Sequence, residues 1–196
     1  MPIELSPRAN EIVTCARALL AAGGYNGFSY ADISASVKIT KASIHHHFPN
    51  KADLVTRVLV QYRDEARQGL AALEENVTDP LGQLEAYTGY WAACIRDGTA
   101  SFCICAMLAA ELPALPEQVV AEVRRHFTDL AAWLASVLAR GANEGIFRLQ
   151  AGPDSEARTL MATVHGAMLA ARAHGDPDAF PAIVRPLLAG LTGTRS

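Results

Sequence analysis

Residues 28–54 read FSYADISASVKITKASIHHHFPNKADL, and this stretch decides the fold. Ser29 is placed to cap a short helix over residues 30–37 by accepting from its exposed N–H groups. Thr40 is placed to cap a second over residues 41–48 in the same way. Pro49 lacks an N–H and collides with the turn before it, so the second helix stops there. Asn50-x-x-Asp53 then opens a third helix. Two short helices joined by a three- or four-residue turn, the second carrying polar groups, form a helix-turn-helix of the kind that reads DNA.

The same stretch resembles the N-terminal domain of the TetR/AcrR family of bacterial repressors. The residues that carry the resemblance are Phe28-Ser29, Ile33, Ile39-Thr40-Lys41, Ser43-Ile44, His46-His47-Phe48, Lys51 and Leu54. Two positions depart from the family pattern. Lys38 stands where the turn usually has Gly, and a left-handed Lys costs roughly 1 kcal/mol of backbone strain while adding a cation for phosphate. His45 stands where the second helix usually has Tyr.

Three consecutive His residues suggest a metal site, but successive helical residues are rotated by about 100°, so His45, His46 and His47 cannot grip one ion. Metal-binding His on a helix usually sit at i and i+4. No metal and no cofactor is expected. The projection gives the run a different use. Ile44 and Phe48, four apart, mark the buried face, and His46 lies opposite it beside Ala42. Ala42 and His46 then reach deepest into a major groove, with Lys41 and His45 nearby. Ala can contact a thymine methyl, and Lys can donate to guanine O6 and N7. Ser29, Tyr30, Thr40, Ser43, His47 and Lys51 are placed to hold phosphates, partly through exposed helix N-termini, and Lys38 adds a further phosphate contact. The plainer alternative is a solvated polar face.

The chain has a net charge of −3, which looks wrong for a DNA binder. The charge is divided unevenly. Residues 1–67 hold eight Lys/Arg against six Asp/Glu, residues 68–196 nine against fourteen, and the only three Lys are Lys38, Lys41 and Lys51. Such asymmetry marks a nucleic-acid-binding end. Of 196 residues, 51% are hydrophobic, Ala is abundant, and most Gly and Pro lie between apolar runs, the profile of an all-α protein. No signal peptide, membrane span or metal-finger spacing of the four Cys is apparent, and a cytoplasmic location with reduced thiols is expected. No Ser/His/Asp set, phosphate-binding Gly loop or spaced carboxylate pair points to an enzyme.

About nine helices are expected. The first covers residues 6–22, with Ser6 as cap, Pro7 at the first position and Gly23-Gly24 at the end. Its Ile12, Cys15, Ala16 and Leu19 share a face that closes a small core with Ile33, Val37, Ile39, Ile44 and Phe48. The fourth helix starts at Lys51, carries Leu54, Val55, Val58, Leu59 and Tyr62, and runs to about residue 75. Asp79-Pro80 opens a fifth that Gly98 ends. A short apolar helix follows over residues 102–112, closed by Pro113. Then come a long helix over 116–143, one capped by Asp154 and running to about 173, and a last one over 182–191. The expected division is a helix-turn-helix domain, 1–50, joined through the fourth helix to a helical bundle, 51–196.

The family resemblance implies that the bundle holds a small-molecule effector and a homodimer interface. On that analogy residues 124–140 and 156–172 supply a four-helix dimer contact. Tyr87, Tyr90, Trp91, Phe102, Cys103, Met107, Phe127, Met161, His165 and Met168 line the effector site, with Tyr90 and His165 orienting the ligand. Against this stands the plain reading that apolar helical stripes pack on one another. Cys103 also matches a position used for electrophile or oxidant sensing in some relatives of the family, and its alternative is a small buried core residue. The whole reads as a one-component regulator, a repressor that binds a near-palindromic operator as a dimer and releases it for an apolar or electrophilic effector. The alternatives are a sensor acting through Cys103 modification and a helical interaction module without DNA binding.

Overall fold

The structure is a computed structural model that describes residues 5–99 and 102–193. Among these residues all regular structure is helical. The elements are α1 (Pro7–Gly23), α2 (Tyr30–Val37), α3 (Lys41–His47), α4 (Lys51–Asn76), α5 (Pro80–Asp97), α6 (Ile104–Ala109), a 3-10 turn at Leu112–Ala114, α7 (Glu117–Asn143), α8 (Pro153–His174) and α9 (Ala179–Thr192). The all-α expectation and its count of helices agree with this.

Local chemistry sets the helix boundaries. Ser6 Oγ accepts from the Ala9 N–H at 3.3 Å, with Pro7 behind it, and α1 ends where Gly24 turns left-handed at φ 71°. Asp79 caps α5 through the Gly82 N–H at 2.7 Å. Each such cap contributes roughly 1 kcal/mol. The last helix starts earlier than expected, at Ala179, and three other boundaries differ for local reasons. Phe48 is not helical but caps α3 in extended conformation (φ −135°), because the residue before a proline is pushed out of the helical region. The expected helix over 102–112 is shorter. The backbone tightens after Ala109, with Glu111 N–H bonding to Leu108 C=O at 3.0 Å, and Pro113 lies inside the 3-10 turn rather than ending a helix. Asp154 is not the cap of α8. Gly152 holds that place with Pro153 at the first position, and Glu156 reaches back to the Gln150 and Ala151 N–H groups at 2.8 and 3.0 Å.

The chain divides into two compact units, residues 1–65 with 104–126, and residues 66–103 with 127–196. Helices α4 and α7 pass through both. In the first unit, Ile12, Val13, Ala16 and Leu20 of α1 are buried, as are Ile33, Ile44, Phe28 and Phe48, and Leu54, Val55, Val58 and Leu59 of α4. Burying each of these large side chains contributes roughly 1.5–3 kcal/mol. Val37, Ile39, Cys15 and Leu19 are only half-buried. Two ionisable groups lie in this core unexpectedly. Glu122 of α7, 5% exposed, pairs with Arg63 at 3.2 Å and with Arg125, and His126 packs on the Tyr62 ring at 5.3 Å.

In the second unit α8 packs along α9, and α5 packs on both. The α7 residues Leu130, Leu134, Val137 and Leu138 are buried here. These four side chains are therefore covered within their own chain. Among the described residues, the large apolar side chains left exposed are Tyr90 on α5, Leu169 on α8 and Ile183 on α9.

Candidate nucleic-acid interface

α2 and α3 are held by side chains that close on their own backbone. Ser29 accepts from the Ala31 N–H at 3.2 Å, while Asp32 accepts from the Ser29 N–H at 2.7 Å and its hydroxyl at 2.8 Å. These bonds, led by the Ser29 hydroxyl, hold the Asp32 carboxyl below its ordinary range. Thr40 caps α3 by accepting from the Ser43 N–H at 3.1 Å. Between the helices Lys38 adopts φ 57°, ψ 47°, the left-handed turn expected where the sequence lacks Gly, and it is the only non-Gly residue with positive φ among the described residues. Ser34 Oγ donates to the Ile39 carbonyl at 2.5 Å and fixes that turn.

This frame leaves Lys38, Thr40, Lys41, Ala42, His45 and His46 exposed, with Ser43 and His47 half-buried, while Ile44 is fully buried behind them. The three His side chains go separate ways. His45 bonds through Nδ1 to the Pro49 carbonyl at 3.0 Å and sets its ring edge-on to Tyr30 at 4.8 Å, whereas His46 and His47 meet edge-on at 5.4 Å. Lys41, Ala42 and His46 thus form the free face of α3, a small residue flanked by a cation and an imidazole.

Two residues expected to hold phosphates are turned inward. The Tyr30 hydroxyl donates to the Phe48 carbonyl at 2.8 Å and ties the start of α2 to the end of α3. Burial, then the charge of Asp53, pushes its pKa up to about 12. The Lys51 ammonium donates to the Phe28 carbonyl and lies over the Phe28 and Tyr25 rings at 4.1 and 4.8 Å. Burial lowers its pKa, against the opposing pull of Glu111 and Asp32. Ser29 is likewise engaged in its own capping box. Ser29-x-x-Asp32 is a capping-box spacing, so the role of Asp32 is legible in the sequence.

The residues assigned to an effector site are only partly brought together. Tyr87, Trp91, Phe102, Cys103 and Met168 are buried in the second unit, and Phe127, Met161 and His165 are half-buried there. The Tyr87 ring meets Trp133 at 5.5 Å, Phe127 meets His165 at 5.2 Å, and the Arg172 guanidinium lies 5.7 Å from the Phe102 ring centre. Burial and the neighbouring Cys103 push the Tyr87 hydroxyl up, against a bond from Trp91. Tyr90 and Met107 differ from these. Tyr90 is 58% exposed because it points away from the packed face of α5, and Met107 belongs to the first unit with the rest of α6. A separate groove of about 530 Å³ runs between α5 and α9, flanked by Glu85 and Arg185, and none of the expected effector residues lines it.

Comparison with known proteins agrees with this frame. Residues 12–58 match the family of bacterial regulatory proteins, tetR family, and residues 80–187 match the tetracyclin repressor-like C-terminal domain. A crystal structure of a TetR-family transcriptional regulator from Agrobacterium tumefaciens is 57% identical, covers 94% of this chain and 97% of its own, and superposes with a TM-score of 0.93. The transcriptional repressor DhaR of Mycobacterium sp. (strain GP1) is 27% identical over 74% of this chain and 73% of its own length. The repressor KstR2 of Mycolicibacterium smegmatis is 27% identical over 75% and 71%. The two matches together cover most of the chain, and the chain belongs to the TetR family of DNA-binding transcriptional regulators.

Proposed function

We propose that the chain is a one-component repressor that binds a near-palindromic operator as a homodimer and leaves it when a small molecule enters the second unit. The observation that carries the reading is the free face of α3. Lys41, Ala42 and His46 are presented by a helix whose opposite side is anchored by Ile44 and whose entry is capped by Thr40. Side chains of this kind at this place specify bases, and Lys38 and the helix N-termini add phosphate contacts. Repression accords with the names of DhaR and KstR2. A cytoplasmic location accords with a DNA target, and among the described residues no helix is long and apolar enough to cross a membrane. Selection of duplexes from a random library, followed by titration of His46→Ala and Lys41→Ala, tests the reading. Each variant loses preference at a base position, at a cost of roughly 1–3 kcal/mol. Variants that keep the wild-type ranking of duplexes rule out α3 as the reader.

The dimer face we assign is on α8 and α9 rather than α7. Leu169 and Ile183 are exposed there, while the α7 stripe is buried. A two-fold contact repeats each residue on both partners, so one substitution acts twice. Leu169→Glu is expected to give a monomer by sedimentation at micromolar concentration.

For the effector we favour an apolar molecule held among Tyr87, Trp91, Phe127, His165 and Met168. Cys103 supplies a second reading. The residue is 1% exposed, near the Tyr87 hydroxyl, and covalent modification there adds bulk that a packed interior cannot absorb. An electrophilic aldehyde that releases wild type but not Cys103→Ser from DNA supports the second reading, and equal release of both supports the first.

A further inference from the structure

We propose that Glu111 is a positioning residue for operator recognition, holding the loop that launches the reader helices through a contact made from the far side of the sequence. Glu111 follows α6, whose Ile104, Cys105 and Leu108 are buried in the first unit, where α6 packs on α1. Its Oε1 accepts the Tyr25 N–H at 3.1 Å, across 86 residues of sequence. The seat for this carboxylate is shaped by the absence of a side chain. Gly24 is buried at φ +71°, and a Cβ there would lie 1.8 Å from Glu111 Oε1.

The contact leads directly to α2. Tyr25 offers its ring to the Lys51 ammonium, and Lys51 donates to the carbonyl of Phe28. Phe28 immediately precedes Ser29, the cap of α2. The Glu111 charge also favours the charged form of Lys51 against burial. One carboxylate thus fixes residues 24–28 at one end while Lys51 fixes them at the other. None of the groups involved lies on the free face of α3. The position of α6 is thereby written into the angle at which α2 and α3 meet DNA.

The inference rests on the operator-binding reading, and the experiment separates the two. Full-length wild type, Glu111→Ala and Glu111→Gln are titrated at one salt concentration with a duplex selected by wild type from a random library, and with a scrambled duplex of equal length. Hydrogen exchange of the Tyr25 amide is followed without DNA. Glu111→Ala is expected to speed exchange at Tyr25 and to lower the selected-to-scrambled affinity ratio about tenfold, the effect of losing one anchoring bond. Glu111→Gln, which keeps an acceptor oxygen, stays within about threefold of wild type. Gly24→Ala costs less in the Glu111→Ala background than in wild type, because the colliding oxygen is gone. A purely structural role lowers thermal stability without changing the affinity ratio. An unchanged ratio in Glu111→Ala, or an equal fall in Glu111→Gln, overturns the proposal. A wild type that selects no duplex overturns the operator reading and this role together.

Discussion

Lys51→Met distinguishes an internal strut from a phosphate contact. Met keeps the aliphatic stem and removes the ammonium. The lost hydrogen bond to the Phe28 carbonyl is charge-assisted, roughly 1.5–3 kcal/mol. The two ring contacts, at 4.1 and 4.8 Å, add roughly 0.5–1 kcal/mol each at partly exposed sites. Relief from burying a cation offsets part of this, and its direction is visible in the lowered pKa of Lys51. A net loss of about 2 kcal/mol remains, which for a chain of this size lowers the thermal midpoint by about 4–8 °C. The assay is a thermal melt without DNA, paired with operator affinity across a salt series. An ammonium that neutralises a phosphate contributes about 0.9 to the salt slope. The inward geometry predicts a lower midpoint and weaker binding with the slope nearly unchanged. A slope lower by about one unit at an unchanged midpoint refutes this reasoning and returns Lys51 to the DNA surface, where the sequence alone put it.

Tyr30→Phe removes the bond to the Phe48 carbonyl and is expected to cost about 1 kcal/mol without DNA, read as a midpoint lower by about 2–4 °C; an unchanged midpoint with weaker DNA binding makes the hydroxyl a phosphate donor instead. Lys38→Gly relieves a left-handed Lys and is expected to raise stability by up to about 1 kcal/mol while lowering the operator salt slope by about one unit, checked by melting and by titration across salt. Asp32 gives a pH dependence. Its carboxyl lies lower folded than unfolded, so the capping box stabilises fully above the unfolded value and loses its contribution as pH falls through the folded one. Thermal midpoints of Asp32→Asn measured between about pH 5 and pH 2 should therefore fall less steeply than those of wild type.

What the sequence made legible was local. Ser6-Pro7, Ser29, Thr40, Asn50-x-x-Asp53 and Asp79-Pro80 announce helix starts because a cap acts within three residues of itself. The reader follows from those signals, and its free face from helical projection around Ile44. The inward contacts of Lys51 are not legible in the sequence because its partners, the Phe28 carbonyl and two rings, depend on how α4 packs, which no short spacing encodes. Glu111 is further removed, its contact lying 86 residues away. Periodicity showed that α7 has an apolar stripe but not whether its own chain or a second copy covers it. The buried Glu122 and His126 were illegible for the same reason, since an ionisable side chain on an amphipathic helix looks solvated until its partners Arg63 and Tyr62 are in place.

The first unit is assembled from two separated lengths of chain, residues 1–65 and 104–126. During synthesis α1, α2 and α3 emerge early, yet the unit still lacks the segment that brings Glu111 to Tyr25 and Glu122 to Arg63. At roughly 5–20 residues per second, that segment follows about 3–12 s behind residue 65. Until then Arg63 and Tyr62 of α4 lack their partners Glu122 and His126, and the nascent reader is open to chaperones and proteases. A reader excised at residue 65 keeps every group that faces DNA but would remain permanently at that stage of its biogenesis.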